Sequence, residues 1–266
     1  MLGFIGGGAM AEALLKGIIA NGLASSDKVL VSDIDHDRVS YLKQTLGVQV
    51  ATDNAAVLKN SELVFLAVKP QVAPAVLADL EGQWSKNHLV VSIMAGVTLS
   101  VLEQFTGPAR LIRVMPNTPC LVQAGAVGIA SGPSAKLSDV VRVQELLSAV
   151  GKTVVLNESL LDAVTGLSGS APAYVYMFIE ALADGGVMAG LPRSVALTLS
   201  AQTVLGAAKM VLETGEHPGS LKDRVASPAG TTIAGISALE QGGFRGLVLQ
   251  AVQAGAERSA ELGTNK

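Results

Sequence analysis

The stretch Met1–Gly22, MLGFIGGGAMAEALLKGIIANG, decides the fold. Leu2 to Ile5 is a short apolar run. Three glycines interrupt it, and Met10, Leu14, Leu15, Ile18 and Ile19 then recur at helical spacing up to Gly22. The pattern reads as strand, glycine turn, helix. Gly6-Gly7-Gly8-Ala9-Met10-Ala11 fits G-x-G-x-x-G/A with Ala11 in the third place. Gly6 allows the tight turn, Gly8 lets backbone N–H groups approach a pyrophosphate, and Ala11 permits close helix–strand packing at the positive helix end. The motif alone is weak; following a strand and opening a helix, it points to dinucleotide binding rather than to a plain turn.

Outward from this turn, KVLVSDID reads as a second strand ending in acids and RVSYLKQTLG as a helix. LVFLAVKP and HLVVSIMAG are continuous apolar runs ended by Pro or Gly, as expected of strands buried on both faces. RLIRVMPNTP is another, and TVVL the last. Strands alternating with helices predict an α/β class with a doubly wound, Rossmann-like parallel sheet over residues 1–157. Beyond Leu160, residues 173–188, 194–213, 232–241 and 244–262 read as helices separated by Gly and Pro. The expected second domain, residues 158–266, is therefore all-α and dimerising. Its helices are apolar around too much of their circumference for a surface bundle, so packing between subunits is expected.

A net charge of -3, without Lys and Arg clusters interleaved with aromatics, argues against a nucleic-acid surface and for a small-molecule partner. Cys120 is the one cysteine, so no intramolecular disulfide can form, and the N-terminus lacks the basic region of a secretion signal. A cytoplasmic location is expected. The longest uncharged run, Val114 to Ala135, is broken by Pro116, Pro119, Gly125, Gly128, Gly132 and Pro133, so no membrane span is expected there. Apolar residues make up 49% and charged ones 15%, with Ala and Gly supplying the excess, which favours close helix packing.

Several residues are candidates for chemistry. Asp33 closes the second strand near the spacing of an acid that contacts a ribose 2′-hydroxyl and would repel a 2′-phosphate; it could equally cap the next helix. The arginine that usually favours NADP is missing from the strand end, the nearest being Arg38 inside that helix, so the reading leans mildly to NAD. Ala67-Val68-Lys69-Pro70 closes a strand at the carboxyl edge where ligands of such sheets sit. Lys69 could contact phosphate or ribose, or solvate the edge. Asn117 and Thr118 end a later strand toward the same crevice or form a buried turn. His36, His88 and His217 read as surface residues, Cys120 as packing, and no metal-ligand spacing appears. Ser227–Gly235, SPAGTTIAG, holds three hydroxyls in front of an apolar helical pattern but no histidine, lysine, cysteine or carboxylate. By itself it is either an ordinary helix start capped by Ser227 or Thr231, or an anion site.

The stretch HPGSLKDRVASPAGTTIAGISALEQGGFR, His217 to Arg245, resembles the signature of pyrroline-5-carboxylate reductases. GFIGGGAMA, LAVKP, AGVT, MPNTP, DAVTGLSGSAPAY, EALADGGV and GAAKMVLETGEHPG follow in that family's order, so the resemblance spans the chain. Ala9 stands where the family often has Asn or Gln, and Ala229 where it usually has glycine in SPGG. The resemblance implies reduction of 1-pyrroline-5-carboxylate to L-proline with NADPH or NADH and no metal. It implies a substrate carboxylate at Ser227, Gly230, Thr231 and Thr232, with Thr232 reaching the ring nitrogen as the catalytic residue. It implies cofactor contacts at Ile5, Gly6, Gly7, Gly8, Ala9 and Met10, at Asp33 and Asn54, at Ala67 to Pro70, and at Ala95 and Asn117. It further implies interlocked homodimers, which in the family commonly assemble into decamers.

The chemistry makes a site without acid or base intelligible. A helix N-terminus offers unpaired N–H donors and about half a positive charge, which suits an α-carboxylate. A cyclic imine is basic enough to arrive protonated, and its carbon then accepts hydride with no proton delivered by the enzyme. Alcohol oxidation differs, because a base must remove the hydroxyl proton. Two alternatives stay open: a six-membered imino acid as substrate, and a cofactor-sensing or scaffold protein that has lost turnover.

Overall fold

The computed structural model describes residues 1–264; Asn265 and Lys266, the end of the expected second domain, lie outside the described residues. Two compact units emerge, Met1–Ser170 with the chain from Ala254 onward, and Ala171–Gln253.

The first unit alternates strand and helix: β1 (Leu2–Ile5), α1 (Ala9–Ala20), β2 (Val29–Ser32), α2 (His36–Leu46), β3 (Gln49–Val50), α3 (Asn54–Asn60) and β4 (Leu63–Leu66). There follow α4 (Ala73–Asp79), β5 (Leu89–Ser92), α5 (Leu99–Thr106), β6 (Arg110–Met115), β7 (Gly125–Ser131), α6 (Leu137–Ser148), β8 (Gly151–Val155) and the short α7 (Leu161–Val164). The eight strands lie in the order β3-β2-β1-β4-β5-β6-β7-β8. The chain goes outward from β1 through β2 to β3, then restarts at β4 on the other side of β1. The topological switch point, where such sheets bind ligands, therefore lies between β1 and β4.

The apolar runs of β1 and β4 divide by alternation between two cores. Leu2, Phe4, Leu63 and Phe65 face the side that holds Leu14 and Ile18, while Ile5, Val64 and Leu66 face the side of Val57 and Leu77. Phe4 and Phe65 are register partners whose rings stack at 4.7 Å. The sheet departs from the expected all-parallel form at one place: β7 runs antiparallel to β6, and β8 follows β7. The 3-10 turn Thr118–Val122 reverses the chain there, and Gly125 and Gly128, which read as breakers in the sequence, lie inside β7.

Packing onto the sheet continues beyond β8. Glu158 Oε1 accepts from the Leu99 N–H (2.7 Å) and from buried Arg113 (3.0 Å), and Leu161 is fully buried. The π-helical turn Thr165–Gly169 is tied down by Asn117, whose amide donates to the Ser168 carbonyl.

The second unit holds α8 (Ala171–Met188), α9 (Arg193–Thr214), α10 (Pro218–Val225), α11 (Thr231–Gln241) and the first part of α12 (Phe244–Thr264). Four of these were legible from apolar spacing; α10, polar and short, was not. Only Ala183, Ala196 and Ser200 are buried in this unit among the described residues. Large apolar side chains on α8, α9 and α12 stand exposed, including Met177, Leu205 and Leu249. By length and composition α9 could cross a membrane.

Candidate active site

The carboxyl ends of the parallel strands gather the cofactor candidates. Gly6 follows β1, Asp33 follows β2, Ala67 to Pro70 follow β4, Ala95 follows β5 and Asn117 follows β6. Gly6 has φ 100°, and a Cβ there would lie 2.7 Å from the Ala67 carbonyl carbon, so the turn is wedged against β4 and only glycine fits. Gly8 differs. It is the N-cap of α1 with no side-chain cap, and a Cβ there would meet nothing within 4 Å. Open space thus faces the unpaired N–H groups of a twelve-residue helix, which fits the pyrophosphate of a dinucleotide. Ile5 is buried in the core, while Ala9 is exposed and offers no polar group.

Asp33 is not the helix cap. Asp35 takes that role, its carboxylate accepting from the N–H groups of Asp37 and Arg38. Asp33 instead accepts from the Gly7 N–H at 2.6 Å and from Asp35 N–H at 3.0 Å, so it braces the glycine turn. Asn54, at the start of α3, joins this edge by accepting from the Ser32 hydroxyl at 2.7 Å. Lys69 is exposed, with no ion pair among the described residues. The Asn117 amide is engaged at both ends, donating to Ser168 O and accepting from Ala126 N–H, as a buried turn residue would.

Two participants were not anticipated. Arg38 reaches back over the turn, donating to Gly7 O (2.5 Å) and Gly8 O (3.3 Å) and pairing with Glu12 of α1 (2.5 Å). Burial pushes the Glu12 carboxyl up, but hydrogen bonds from Lys16 and Arg38, the Arg38 charge and Tyr41 outweigh it and hold it below its ordinary range. The sequence signal was the basic residue in the first turn of α2, which falls opposite α1 once β1 and β2 pair.

The substrate candidates lie in the second unit. Gly230 is the N-cap of α11, its N–H donating to Ser227 O, and no side chain caps the helix. The capping alternative for Ser227 and Thr231 is thus not what forms. A Cβ on Gly230 would lie 2.2 Å from Ser227 Oγ, which would have to rotate away, and 3.2 Å from the Ser227 carbonyl oxygen. The hydroxyls of Ser227, Thr231 and Thr232 engage no partner among the described residues, leaving donors and helix N–H groups free for a carboxylate.

Ala229 holds φ 56°, the left-handed region that costs a residue with a Cβ roughly 1 kcal/mol or more. Ala229→Gly is expected to raise the melting temperature by a few degrees, the equivalent of about 1 kcal/mol. A thermal melt checks this, and an unchanged or lower midpoint contradicts it.

The remaining candidates are structural. His217 caps α10 through Nδ1, and His88 Nδ1 accepts from Ser85 N–H, so both have partners that the sequence did not suggest. Cys120 is buried, and burial pushes its thiol up, which suits packing. Among the described residues no His, Cys, Asp and Glu group could hold a metal ion.

The family model described as pyrroline-5-carboxylate reductase dimerisation matches residues 158–262, and the one described as NADP oxidoreductase coenzyme F420-dependent matches residues 1–96. A pyrroline-5-carboxylate reductase of Methanosarcina acetivorans is 49% identical, over 98% of this chain and 97% of that protein. The structure of a pyrroline-5-carboxylate reductase from Coxiella burnetii superposes with a TM-score of 0.94 at 36% identity, covering 99% of this chain and 98% of that one. That of Plasmodium falciparum pyrroline carboxylate reductase with NADP bound gives 0.88 at 31%, with coverage of 99% and 98%.

Proposed function

The chain belongs to the pyrroline-5-carboxylate reductase family, and from that premise we propose how its residues divide the work. It is an NAD(P)H-dependent oxidoreductase that reduces the C=N bond of 1-pyrroline-5-carboxylate to give L-proline, the last step of proline biosynthesis. The observation that carries the substrate assignment is the uncapped start of α11, with three unused hydroxyls and no titratable side chain in SPAGTT.

Ser227, Gly230 and Thr231 hold the carboxylate through N–H and hydroxyl groups, with the positive end of α11 behind them. The Thr232 hydroxyl holds the ring nitrogen, where the C=N electron pair comes to rest as the adjacent carbon is reduced. Reduced nicotinamide, when bound, supplies the hydride. Gly8 and the first turn of α1 hold the pyrophosphate, Asp33 and Asn54 the ribose edge, and Ala67 to Pro70 with Ala95 the strand-end floor. Asn117 keeps that floor in shape through its two backbone contacts. Orientation and charge placement are then the enzyme's main tasks. Turnover of five- and six-membered imino acids tests the reading: the five-membered ring should be clearly preferred, and preference for the larger ring overturns it.

Asp33→Ser is expected to shift the ratio of kcat/KM values toward NADPH, because it removes a carboxylate that repels a 2′-phosphate. Steady-state kinetics with both cofactors checks it; an unchanged ratio would leave Asp33 only the bracing of Gly7.

The protein forms oligomers and acts on a small molecule. We assign the exposed apolar faces of α8, α9 and α12 to a second copy of the chain, giving a homodimer that further assembles into decamers. The same cover accounts for α9 without a membrane, and the acidic charge balance favours a cytoplasmic enzyme with no nucleic-acid partner.

A further inference from the structure

Around the glycine turn three charged groups and a tyrosine form a cluster that the reaction itself does not use. Glu12 accepts from Arg38 (2.5 Å), Lys16 (2.6 Å) and the Tyr41 hydroxyl (3.1 Å), and the Arg38 guanidinium lies over the Tyr41 ring at 5.1 Å. Arg38 is also a neighbour of the ribose acid. The point where a Cβ on Gly7 would sit is 3.5 Å from Asp33 Oδ2 and 3.7 Å from Arg38 Cγ. A guanidinium on that stem swings over several ångströms by rotation of its last two torsions, which brings the ribose edge within its reach.

We infer that Glu12 is a specificity-determining residue: by holding Arg38 on the glycine turn it withholds a cation from the ribose 2′ position and makes the chain favour NADH over NADPH. The inference rests on the reading of the glycine turn as a dinucleotide site. The bound state of Arg38 explains why an arginine so placed does not mark a 2′-phosphate site. Its charge is matched by Glu12, and two of its N–H groups are spent on Gly7 O and Gly8 O. What remains at the edge is negative, with Asp33, Asp35 and Asp37 within five residues. A guanidinium released from Glu12 would instead pair a phosphate in fork geometry, its strongest mode of binding.

The test reads binding without turnover. Calorimetric titration of the intact protein with 5′-AMP and with 2′,5′-ADP isolates the 2′-phosphate. The wild-type chain should bind 2′,5′-ADP at least about tenfold more weakly than 5′-AMP, a difference of about 1.4 kcal/mol. Glu12→Gln should raise relative affinity for 2′,5′-ADP about tenfold with little change for 5′-AMP, and should do so less than twofold in an Arg38→Met background. Thermal melts confirm that each variant is folded. Tighter binding of 2′,5′-ADP by the wild type overturns the inference whatever the variants do. So does an unchanged ratio in Glu12→Gln, or an equal gain without Arg38, which would be a general charge effect. Failure of the wild type to bind either nucleotide would overturn the dinucleotide reading itself.

Discussion

Gly8→Asp is expected to lower kcat/KM at least about 1,000-fold while leaving the melting temperature within a few degrees of the parent. Gly8 ends the glycine turn as the N-cap of α1, at φ -63°, which an L-residue adopts without strain. Its missing Cβ faces open space, so an aspartate displaces no protein atom. Aspartate is itself a favoured N-cap, and the fold should tolerate or welcome it. The carboxylate would, however, take the N–H groups intended for the pyrophosphate and stand against its charge. Like charges so placed cost several kcal/mol, and about 4 kcal/mol is a thousandfold. Gly6 would give no such separation, because a side chain there runs into the Ala67 backbone and damages the turn. Steady-state kinetics with a thermal melt checks the prediction; near-parental kcat/KM would remove the pyrophosphate from this turn.

Thr232→Val is expected to reduce kcat/KM by roughly 10- to 100-fold. The substitution keeps the branched shape and removes one hydroxyl, and a hydrogen bond to a charged group is worth about 1.5–3 kcal/mol. Since the hydroxyl engages no partner among the described residues, its loss leaves no orphaned group inside the protein. The melt should hardly move. Cofactor affinity, measured by titration, should also stay in place, separating this variant from Gly8→Asp. An unchanged kcat/KM would rule out contact between Thr232 and the ring nitrogen.

Local patterns carried most of the fold. Continuous apolar runs ended by Gly or Pro marked β1, β4, β5 and β6, because strands covered on both faces have no polar side to show, while β2 read as an apolar run ending in acids and TVVL marked β8. β7 was illegible for the opposite reason. Its Gly125 leaves no room for a Cβ beside Cys120 and the Val150 carbonyl, and Gly128 packs tightly on α7, a tertiary demand that reads locally as a loop. The glycine turn was readable since a chemical reason exists for each small residue. The clamp of Asp33, Arg38 and Glu12 was not, because it depends on β1 and β2 lying side by side, which places residues 26 to 31 positions apart in contact. Asp33 could be read two ways from spacing; only the geometry shows Asp35 as the cap. At SPAGTT the residue types suggested either a cap or an anion site. The backbone sets aside the cap by making Gly230 the N-cap and leaves the hydroxyls unspent, which supports the proposed anion site.

Reduction of the cyclic C=N bond places the hydride on the imine carbon. Single-turnover mixing of the protein, 1-pyrroline-5-carboxylate and NADH carrying deuterium at both C4 positions of the nicotinamide tests this, with the product analysed by mass spectrometry and NMR. Loss of nicotinamide absorbance should match proline formed, and the L-proline should carry deuterium at C5, the former imine carbon. Absorbance that does not change, or proline without that label, would contradict the account.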